Sequence, residues 1–425
     1  MQTMVGERFT EPTNWTELGE EPLVTHQRTS PTKNDKLVIF VHGLGGSRYG
    51  NSTTWGRFPQ FLFEDMPDVD VGMYQYRTLF GRLRITRSVS LEKEAQVFAD
   101  LVRDPLRGYK SVVLIGHSMG GLLCKALIQR LLEAGSRNAV SRIGGLILMA
   151  TPQLGVLRIP AFLSFLSYDA RALRAHGELV TRINRTFEDR VALDEGVFTL
   201  RKVTIPTWAV EGVYDLWVDP LSSGIGLASS RRKVVRGSHT SIVKPADKQA
   251  DAYSWVRERV YIAMQRFKYD VFIAAAMAGH EGDAEYQQSR SEVLALIDTL
   301  KTKCNCKSVF YAGSTITSKA EFEPEALALV SDLQAMRESR SFILYYPTKL
   351  PSSALYEAGW ALILGKPSIY IVRDKAGLPF LLNDASQAFL ERRVRVFECP
   401  DINRALAEVS SYGGDLFSYA ENAGD

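Results

Sequence analysis

The stretch "LIGHSMGGLL", from Leu114 to Leu123, places a serine between glycines that lie two residues before and after it. Alone, a Gly-x-Ser-x-Gly pattern is weak, because glycine and serine are common residues. Here the apolar, β-branched run "SVVLIG" (111–116) precedes the serine, and the helical pattern "GGLLCKALIQRLLEAG" (120–135) follows it. The sequence therefore predicts a strand, a tight turn that carries Ser118, and a helix.

Similar strand patterns lie on both sides of this turn. Continuous apolar runs that alternate with helical stretches indicate a parallel α/β sheet with helices on its faces. The segment 153–200 interrupts this alternation and is predicted to be a helical lid. The predicted strands are "KLVIFVHG" (36–43), "IGGLILMATP" (143–152), "VTIPTWAVEG" (203–212) and "RKVVRGSH" (232–239), and the closing helix is "ADKQADAYSWVRERVYIAMQRF" (246–267).

A second alternation begins after this helix. We therefore expect an N-terminal leader (1–35), a first α/β domain (36–267) and a second parallel-sheet α/β domain (268–425). A chain of 425 residues is too long for most single cores, which agrees with two domains. The strands of the second domain are predicted at "YDVFIAAA" (269–276), "SVFYAG" (308–313), "SFILYYP" (341–347) and "PSIYIVRD" (367–374).

The totals exclude several classes of protein. The chain has 51 basic and 48 acidic residues, so no strong positive field favours nucleic acid. The N-terminal residues lack the apolar core of a signal peptide, and no run approaches a membrane span. Four scattered cysteines have no metal-binding spacing. We therefore expect a cytoplasmic protein with reduced thiols and no metal site.

Ser118 is placed to act as a nucleophile. A serine hydroxyl attacks a carbonyl only when a base removes its proton, and it must project from a strained turn to reach a substrate. The backbone N–H of Met119 is then directed at the oxyanion. The stretch "HGLGGS" (42–47) follows an earlier strand and supplies a second N–H, from Leu44 or Gly45. A dinucleotide-binding loop is not favoured there, because Arg48 replaces its third glycine.

The remaining triad members follow in the chain order serine, acid, histidine. The stretch "EGVYDLWVDP" offers Asp215 as the acid, with Asp219 as the alternative. The stretch "RGSHTSIVKP" supplies His239 from a polar loop after the last strand. The other two histidines beside predicted strands, His42 and His117, are expected to shape turns.

Residues from about 36 to 265 resemble the α/β-hydrolase superfamily, and within it the lipase-like serine esterases. The motifs that carry the resemblance are "VHGLGGS", "GHSMGG", "ATPQLG", "DARALRAHGELVTRINRTF" and "GSHTSIVKP". They are similar to the branch that includes eukaryotic phospholipid-remodelling and membrane-anchor deacylating proteins. The resemblance implies hydrolysis of carboxylic esters, with lipids or phospholipids favoured and no cofactor required. The apolar lid patch 159–166 fits an acyl chain or a membrane surface, and it fits ordinary lid packing equally well.

The second domain has no serine turn, and its most distinctive run is "SSALYEAGWALILGKP" (352–367). A helix is predicted to begin around Ala354, which puts Glu357 in its first turn, near the cleft where open α/β sheets bind ligands. A carboxylate there can stabilise the cationic sugar formed when a bond to ribose is cleaved. A carboxylate favoured only by the helix dipole is the simpler interpretation. Tyr346, Ser353 and Trp360 are candidates to line the pocket, and Trp360 fits the core equally well.

Residues from about 268 to 400 resemble TIR-like domains and nucleoside 2-deoxyribosyltransferases, through "YDVFIAAAMAG" and the glutamate helix. The resemblance implies a flavodoxin-like fold, NAD or a related nucleotide as substrate or ligand, and an active-site role for Glu357. The tryptophan–cysteine pair found before the glutamate in many TIR enzymes is absent, because Ser353 and Ala354 stand there. Nucleotide binding is therefore favoured over rapid NAD hydrolysis.

Three hypotheses for the whole chain follow. A lipase or esterase fused to a TIR-like domain resembles bacterial immune proteins, which implies anti-phage defence and a homo-oligomer assembled through that domain. In the second hypothesis the TIR-like domain only senses a ligand or self-assembles, and the serine hydrolase alone is active. In the third, the protein is a scaffold with a vestigial hydrolase site.

Overall fold

The computed structural model describes residues 23–26, 34–44, 46, 53–76, 91–103, 109–134, 137–153, 178–193, 202–218, 224, 226–385 and 394–417. The chain divides into two compact units, of which the first ends at Gln265 and the second continues from Arg266. This division lies two residues before the boundary expected from the sequence. Within the described residues, no helix has both the length and the apolar character needed to cross a membrane.

The first unit contains a seven-stranded sheet and a small two-stranded one. The large sheet is formed by β1 (Leu23–His26), β2 (Lys36–Val41), β3 (Asp70–Tyr74), β4 (Ser111–His117), β5 (Ile143–Met149), β8 (Thr207–Gly212) and β9 (Arg232–Val235). The small sheet pairs β6 (Val191–Ala192) with β7 (Val203–Thr204). The order in the large sheet is β1-β3-β2-β4-β5-β8-β9, and every pair is parallel except β1 with β3.

Three features of the first unit differ from the sequence prediction. The strand β3 was not among the predicted strands. The predicted leader contains β1, a strand of four residues that depends on β3 as its partner. The single strand expected from Val203 to Gly212 is two strands, because Pro206 lies between them and cannot donate a backbone hydrogen bond to a ladder.

Helices cover both faces of the large sheet, as the apolar strand runs require. Along β2, Leu37, Ile39 and Val41 face one core, while Val38 and Phe40 face the other. The first core packs against α2 (Leu91–Arg103), α3 (Met119–Glu133), α4 (Arg137–Ser141) and α5 (Glu178–Arg190), and the second against α1 (Phe58–Asp65) and α6 (Asp251–Gln265).

Of the predicted lid, the structure describes residues 178–193, which hold α5 and β6. The apolar patch 159–166 lies outside the described residues.

The second unit has one five-stranded parallel sheet. Its strands are β10 (Tyr269–Ala275), β11 (Val309–Phe310), β12 (Ser339–Tyr346), β13 (Ser368–Val372) and β14 (Val394–Glu398), in the order β11-β10-β12-β13-β14. A core lies on each face of this sheet. The helices are α7 (Asp283–Lys303), α8 (Glu325–Arg337), α9 (Ala354–Ile363), α10 (Phe380–Asn383) and α11 (Ile402–Tyr412).

Candidate active site

Ser118 lies in a strained turn between β4 and α3. Its φ of 52° and ψ of −123° are unfavourable for a residue with a side chain. Two backbone hydrogen bonds hold the turn: Ser118 N–H donates to the Met149 carbonyl at 2.9 Å, and Gly121 N–H donates to the Ser118 carbonyl at 3.0 Å. This is the strand–turn–helix geometry that presents a nucleophilic serine at the end of a parallel sheet.

The glycines around Ser118 are required by close packing of the backbone. A Cβ atom added to Gly120 would lie 2.2 Å from the Val41 carbonyl oxygen, and one added to Gly116 would lie 2.5 Å from Gly121 Cα. Both distances are shorter than any non-bonded contact. The glycine pattern of the sequence therefore fixes how closely α3 approaches the ends of β2 and β4.

His239 and Asp215 form a buried hydrogen-bonded pair. The His239 Nδ1 atom lies 2.8 Å from Asp215 Oδ2. Because an ionised carboxylate only accepts, Nδ1 must carry the proton, which leaves the Nε2 lone pair of a neutral ring available as a base. The other carboxylate oxygen accepts the backbone N–H groups of Trp217 at 2.9 Å and Val218 at 3.0 Å.

The surroundings of Asp215 favour its charged form. Burial by itself raises the pKa of this carboxyl, but the hydrogen bond and charge of His239 and the two backbone N–H groups outweigh burial. The net result is a pKa below the usual value for aspartate. Asp215 can therefore stabilise a positive charge that forms on His239 during a reaction.

His117 links the serine turn to the histidine loop. Its Nε2 donates to the His239 carbonyl oxygen at 2.8 Å, and the centroids of the two rings lie 4.8 Å apart. Burial, followed by the nearby His239, lowers the pKa of His117 to about 3, so its ring is neutral. Because Ser118 directly follows His117, this bond holds the loop of the predicted base against the turn of the predicted nucleophile.

Of the two predicted oxyanion donors, Met119 lies at the Ser118 turn and Leu44 lies in the turn after β2. Met119 is the first residue of α3, and the first N–H groups of a helix have no partner within it. Leu44 follows β2 in a turn closed by a hydrogen bond of 3.0 Å from Gly46 N–H to the Gly43 carbonyl. A Cβ atom added to Gly43 would lie 2.8 Å from Ser118 Cβ, so this turn contacts the serine. The alternatives Gly45 and Asp219 lie outside the described residues.

His42 has a structural role. Its Nδ1 donates to the Gly43 carbonyl at 2.9 Å, while its Nε2 accepts from the Tyr76 N–H at 3.3 Å. The Tyr76 ring stacks on it with centroids 4.5 Å apart. Both ring nitrogens of His42 are therefore engaged in shaping the turn that follows β2.

In the second unit, Glu357 lies in the first turn of α9, where the sequence placed it. It is only 7% exposed. Burial and the neighbouring Asp332 carboxylate raise the pKa of Glu357 to about 8, although a hydrogen bond with Ser353 opposes the shift. Its carboxyl group is therefore predominantly protonated at neutral pH and can donate a hydrogen bond.

Only one of the residues predicted to contact a nucleotide lines the cavity at the carboxyl ends of the strands. Tyr346 lines a cavity of about 760 Å³ at the carboxyl ends of β10, β12, β13 and β14. Glu357, Ser353 and Trp360 are not among the residues that line it. Trp360 packs against the core between the sheet and α9, as its alternative interpretation expected.

The sequence analysis missed two groups near the site. The Trp217 ring stacks on the His239 ring, with centroids 5.0 Å apart and planes 24° apart. Lys125 of α3 is buried and donates to Gln153 Oε1 at 2.6 Å and Asn184 Oδ1 at 2.7 Å. The available signals were an aromatic residue next to the predicted acid, and a charged residue within an apolar helix pattern.

Residues 38–300 match the model of the alpha/beta hydrolase family. The match covers more than half of the chain, and the chain belongs to this family. The match extends past the first unit into α7.

The solved structures to which part of this chain is similar include two lipases and a thioesterase. A lipase from Bacillus licheniformis in its mature form is 13% identical, with a TM-score of 0.40, and the match covers 56% of this chain and 97% of the lipase. A monoacylglycerol lipase from Paleococcus ferrophilus is 16% identical, with a TM-score of 0.36 and coverage of 57% and 99%. The type II thioesterase BorB from the borrelidin biosynthetic cluster is 20% identical, with a TM-score of 0.36 and coverage of 56% and 96%. A search of curated protein sequences found no match.

Proposed function

We propose that the first unit is a serine esterase in which Ser118, His239 and Asp215 form the catalytic triad. The observation that carries this proposal is the Asp215–His239 hydrogen bond, in a loop that His117 holds against the strained Ser118 turn. Family membership supports hydrolysis as the reaction class. A carboxylic ester is the proposed substrate, and no cofactor is required.

The mechanism follows from the roles of these groups. His239 Nε2 removes the proton from Ser118 Oγ as that oxygen attacks the ester carbonyl carbon. The N–H groups of Met119 and Leu44 stabilise the oxyanion. His239 then donates the proton to the departing alcohol, which leaves an acyl group on Ser118. A water molecule, deprotonated by the same nitrogen, releases the acid, and Asp215 stabilises the charged ring in each half.

A covalent probe tests this proposal directly. We expect a fluorophosphonate to label the wild-type protein and to leave the Ser118→Ala variant unlabelled, with a loss of about 10³-fold or more in hydrolysis of a soluble ester. Ser291→Ala, which changes an exposed serine of the second unit, is the matched control and should label normally. Equal labelling of wild type and Ser118→Ala would exclude this serine as the nucleophile.

A second candidate function concerns the second unit, for which we propose binding of NAD or a related nucleotide. Two observations favour it. The strand order, numbered within this unit, is 2-1-3-4-5, the order of flavodoxin-like sheets, which bind ligands at the carboxyl ends of their strands. Glu357 is buried with a raised pKa, as carboxyl groups at functional sites often are. The TIR-like identity, the homo-oligomer and the role in anti-phage immunity remain parts of this proposal.

NAD consumption separates a catalytic second unit from one that only senses a ligand or self-assembles. If Glu357 takes part in cleavage, the Glu357→Gln variant should not consume NAD, as measured by chromatography of the remaining NAD. Nucleotide binding without NAD loss in the wild type would favour the sensing role.

A further inference from the structure

The loop that carries Asp215 exposes an unusual number of apolar side chains. Val213 is 50% exposed, Tyr214 61%, Leu216 76% and Trp217 37%. The Asp215 side chain between them is 3% exposed. Among the described residues of the first unit, most other large apolar side chains are buried, and a group of exposed apolar side chains on a folded protein marks an interaction surface. We call residues 213–217 the acid loop.

The acid loop is continuous with the proposed catalytic pair. The Trp217 ring stacks on the His239 ring, and the Trp217 N–H donates to the Asp215 carboxylate. A molecule that contacts the exposed part of Trp217 therefore lies close to the proposed catalytic pair.

An exposed cation lies on the segment that pairs with the acid loop. The loop pairs with the end of β9 and the residues that follow it: Val213 N–H donates to the Val235 carbonyl at 3.0 Å, and Tyr214 N–H donates to the Gly237 carbonyl at 2.9 Å. Arg236, between these two acceptors, is exposed.

The carboxylates of the two paired segments are buried. In residues 211–218 and 232–239, all of which the structure describes, the only acidic side chains are Glu211 and Asp215. Glu211 is ion-paired with Arg232 at 2.9 Å, and Asp215 is hydrogen-bonded to His239 at 2.8 Å. The surface of these segments therefore combines apolar groups with an exposed cation and has no exposed carboxylate.

We propose that the acid loop docks the enzyme on the surface of an anionic phospholipid bilayer. Tyrosine and tryptophan prefer the headgroup region, leucine enters the acyl region, and arginine pairs with phosphate groups. The proposal rests on the proposed esterase function and deepens it, because it places the substrate in a lipid phase. The residues of the acid loop differ from the patch 159–166, on which the sequence analysis based membrane contact.

A lipid surface fits this position better than a protein partner. A protein bound over Trp217 would cover the catalytic pair and exclude substrate, whereas a bilayer supplies the substrate itself. Contact with lipid also buries the four apolar side chains without requiring a complementary fold.

Vesicle flotation with the full-length Ser118→Ala protein tests the proposal. Vesicles of phosphatidylcholine containing about one third phosphatidylglycerol should bind this parent, and the additional changes Tyr214→Ser and Leu216→Ser should lower the partition coefficient by about tenfold or more. The matched control is the pair Tyr261→Ser and Val97→Ser, whose side chains are 58% and 51% exposed on α6 and α2. This control should bind as the parent does.

Several outcomes would overturn the proposal. They are failure of the parent to bind, equal binding by the acid-loop variant and the parent, and equal losses in the acid-loop and control variants. If the parent does not bind vesicles and the acid-loop substitutions change its oligomeric state, the acid loop is a protein interface instead. Arg236→Gln should reduce binding to the anionic vesicles more than to pure phosphatidylcholine.

The two proposals fail separately in these experiments. Flotation uses a protein without the nucleophile, so it does not depend on catalysis. Vesicle binding without fluorophosphonate labelling of the wild type would reject the esterase and keep the docking surface. Fluorophosphonate labelling of the wild type without vesicle binding would keep the esterase and reject the docking surface.

Discussion

The backbone of Ser118 has a conformation that costs about 1–3 kcal/mol in a residue with a side chain. The surrounding contacts must hold it there. The Gly120 backbone packs against the Val41 carbonyl, and the Ser118 N–H is bound to Met149. Strain of this kind is characteristic of nucleophilic serines, because it raises the hydroxyl above the sheet edge.

Gly43→Ala tests how closely the turn after β2 must approach the serine. The new methyl group would lie 2.8 Å from Ser118 Cβ and 3.0 Å from the His117 carbonyl oxygen. We expect kcat on a soluble ester to fall by about tenfold or more, because small displacements of catalytic groups are costly. Gly282→Ala, which meets nothing within 4 Å, is the control and should behave as wild type. Unchanged kcat in Gly43→Ala would contradict the proposed position of the oxyanion donors.

Lys125 should make the free energy of unfolding depend on pH in the alkaline range. Burial lowers its pKa from 10.5 to about 7 in the folded protein. Between these values the unfolded chain binds more protons than the folded one, so the free energy of unfolding should rise with pH, by up to about 1.4 kcal/mol per pH unit.

Denaturant unfolding at pH 7, 8 and 9 measures this slope, with amide exchange in α3 reporting the first unit. The Lys125→Met variant removes the titrating group and should have a flatter profile than wild type. Parallel profiles would show that Lys125 keeps an ordinary pKa in the folded protein. The amide oxygens of Gln153 and Asn184 lose their donor in this variant, so the comparison uses slopes and not absolute stabilities.

At the scale of elements, α9 combines a good helical pattern with one unfavourable group. Its alanines at 354, 358 and 361 are buried against the sheet, and Glu357 is buried beside them. A first-turn carboxylate normally benefits from the helix dipole, but burial and Asp332 reverse that advantage here. A helix that retains such a carboxyl group is a reason to look for a ligand that uses it.

Glu357→Gln should stabilise the second unit near neutral pH. The pKa of Glu357 rises from 4.5 to about 8 on folding, so between these values the unfolded chain releases a proton that the folded chain keeps. The free energy of unfolding of the wild type should then fall with increasing pH, by up to about 1.4 kcal/mol per unit. Glutamine imitates the protonated form and should remove this decline. Unfolding from pH 5 to 8, monitored by amide exchange in β12 and α9, measures this decline, and a decline in the variant as steep as that of the wild type would refute the prediction.

At the scale of the whole molecule, the buried residues fall into separate cores. Two cores lie on the faces of the seven-stranded sheet, and two others lie on the faces of the five-stranded sheet. Each unit therefore has the apolar interior that an independently stable domain needs.

Phe342→Ala tests this division of stability. The side chain is fully buried in β12, and its loss should destabilise the second unit by about 3–5 kcal/mol. We expect faster amide exchange in β10 to β14, while β2, β4 and β5 keep their protection and fluorophosphonate labelling of Ser118 is unchanged. Equal loss of protection in both units would show that they unfold as one.

The sequence was sufficient where a local pattern carries the structure. It predicted the strand before Ser118, the helix after it and the first-turn position of Glu357, because apolar periodicity and glycine spacing act within a few residues of the chain. It did not predict β1 or β3, because such short strands have weak periodicity of their own and β1 depends on β3 as its partner. The break between β7 and β8 was missed although Pro206 is a local signal for it.

The amino-acid sequence by itself determined two α/β units, the chemistry of the serine turn and the candidates for acid and base, since these depend on residue type and chain order. Only the tertiary structure decided that Asp215 meets His239, that Trp217 stacks on the His239 ring, and that Glu357 does not line the cavity at the strand ends. The contacts with His239 join residues from two separate loops. They are set by packing and burial, which no local pattern encodes.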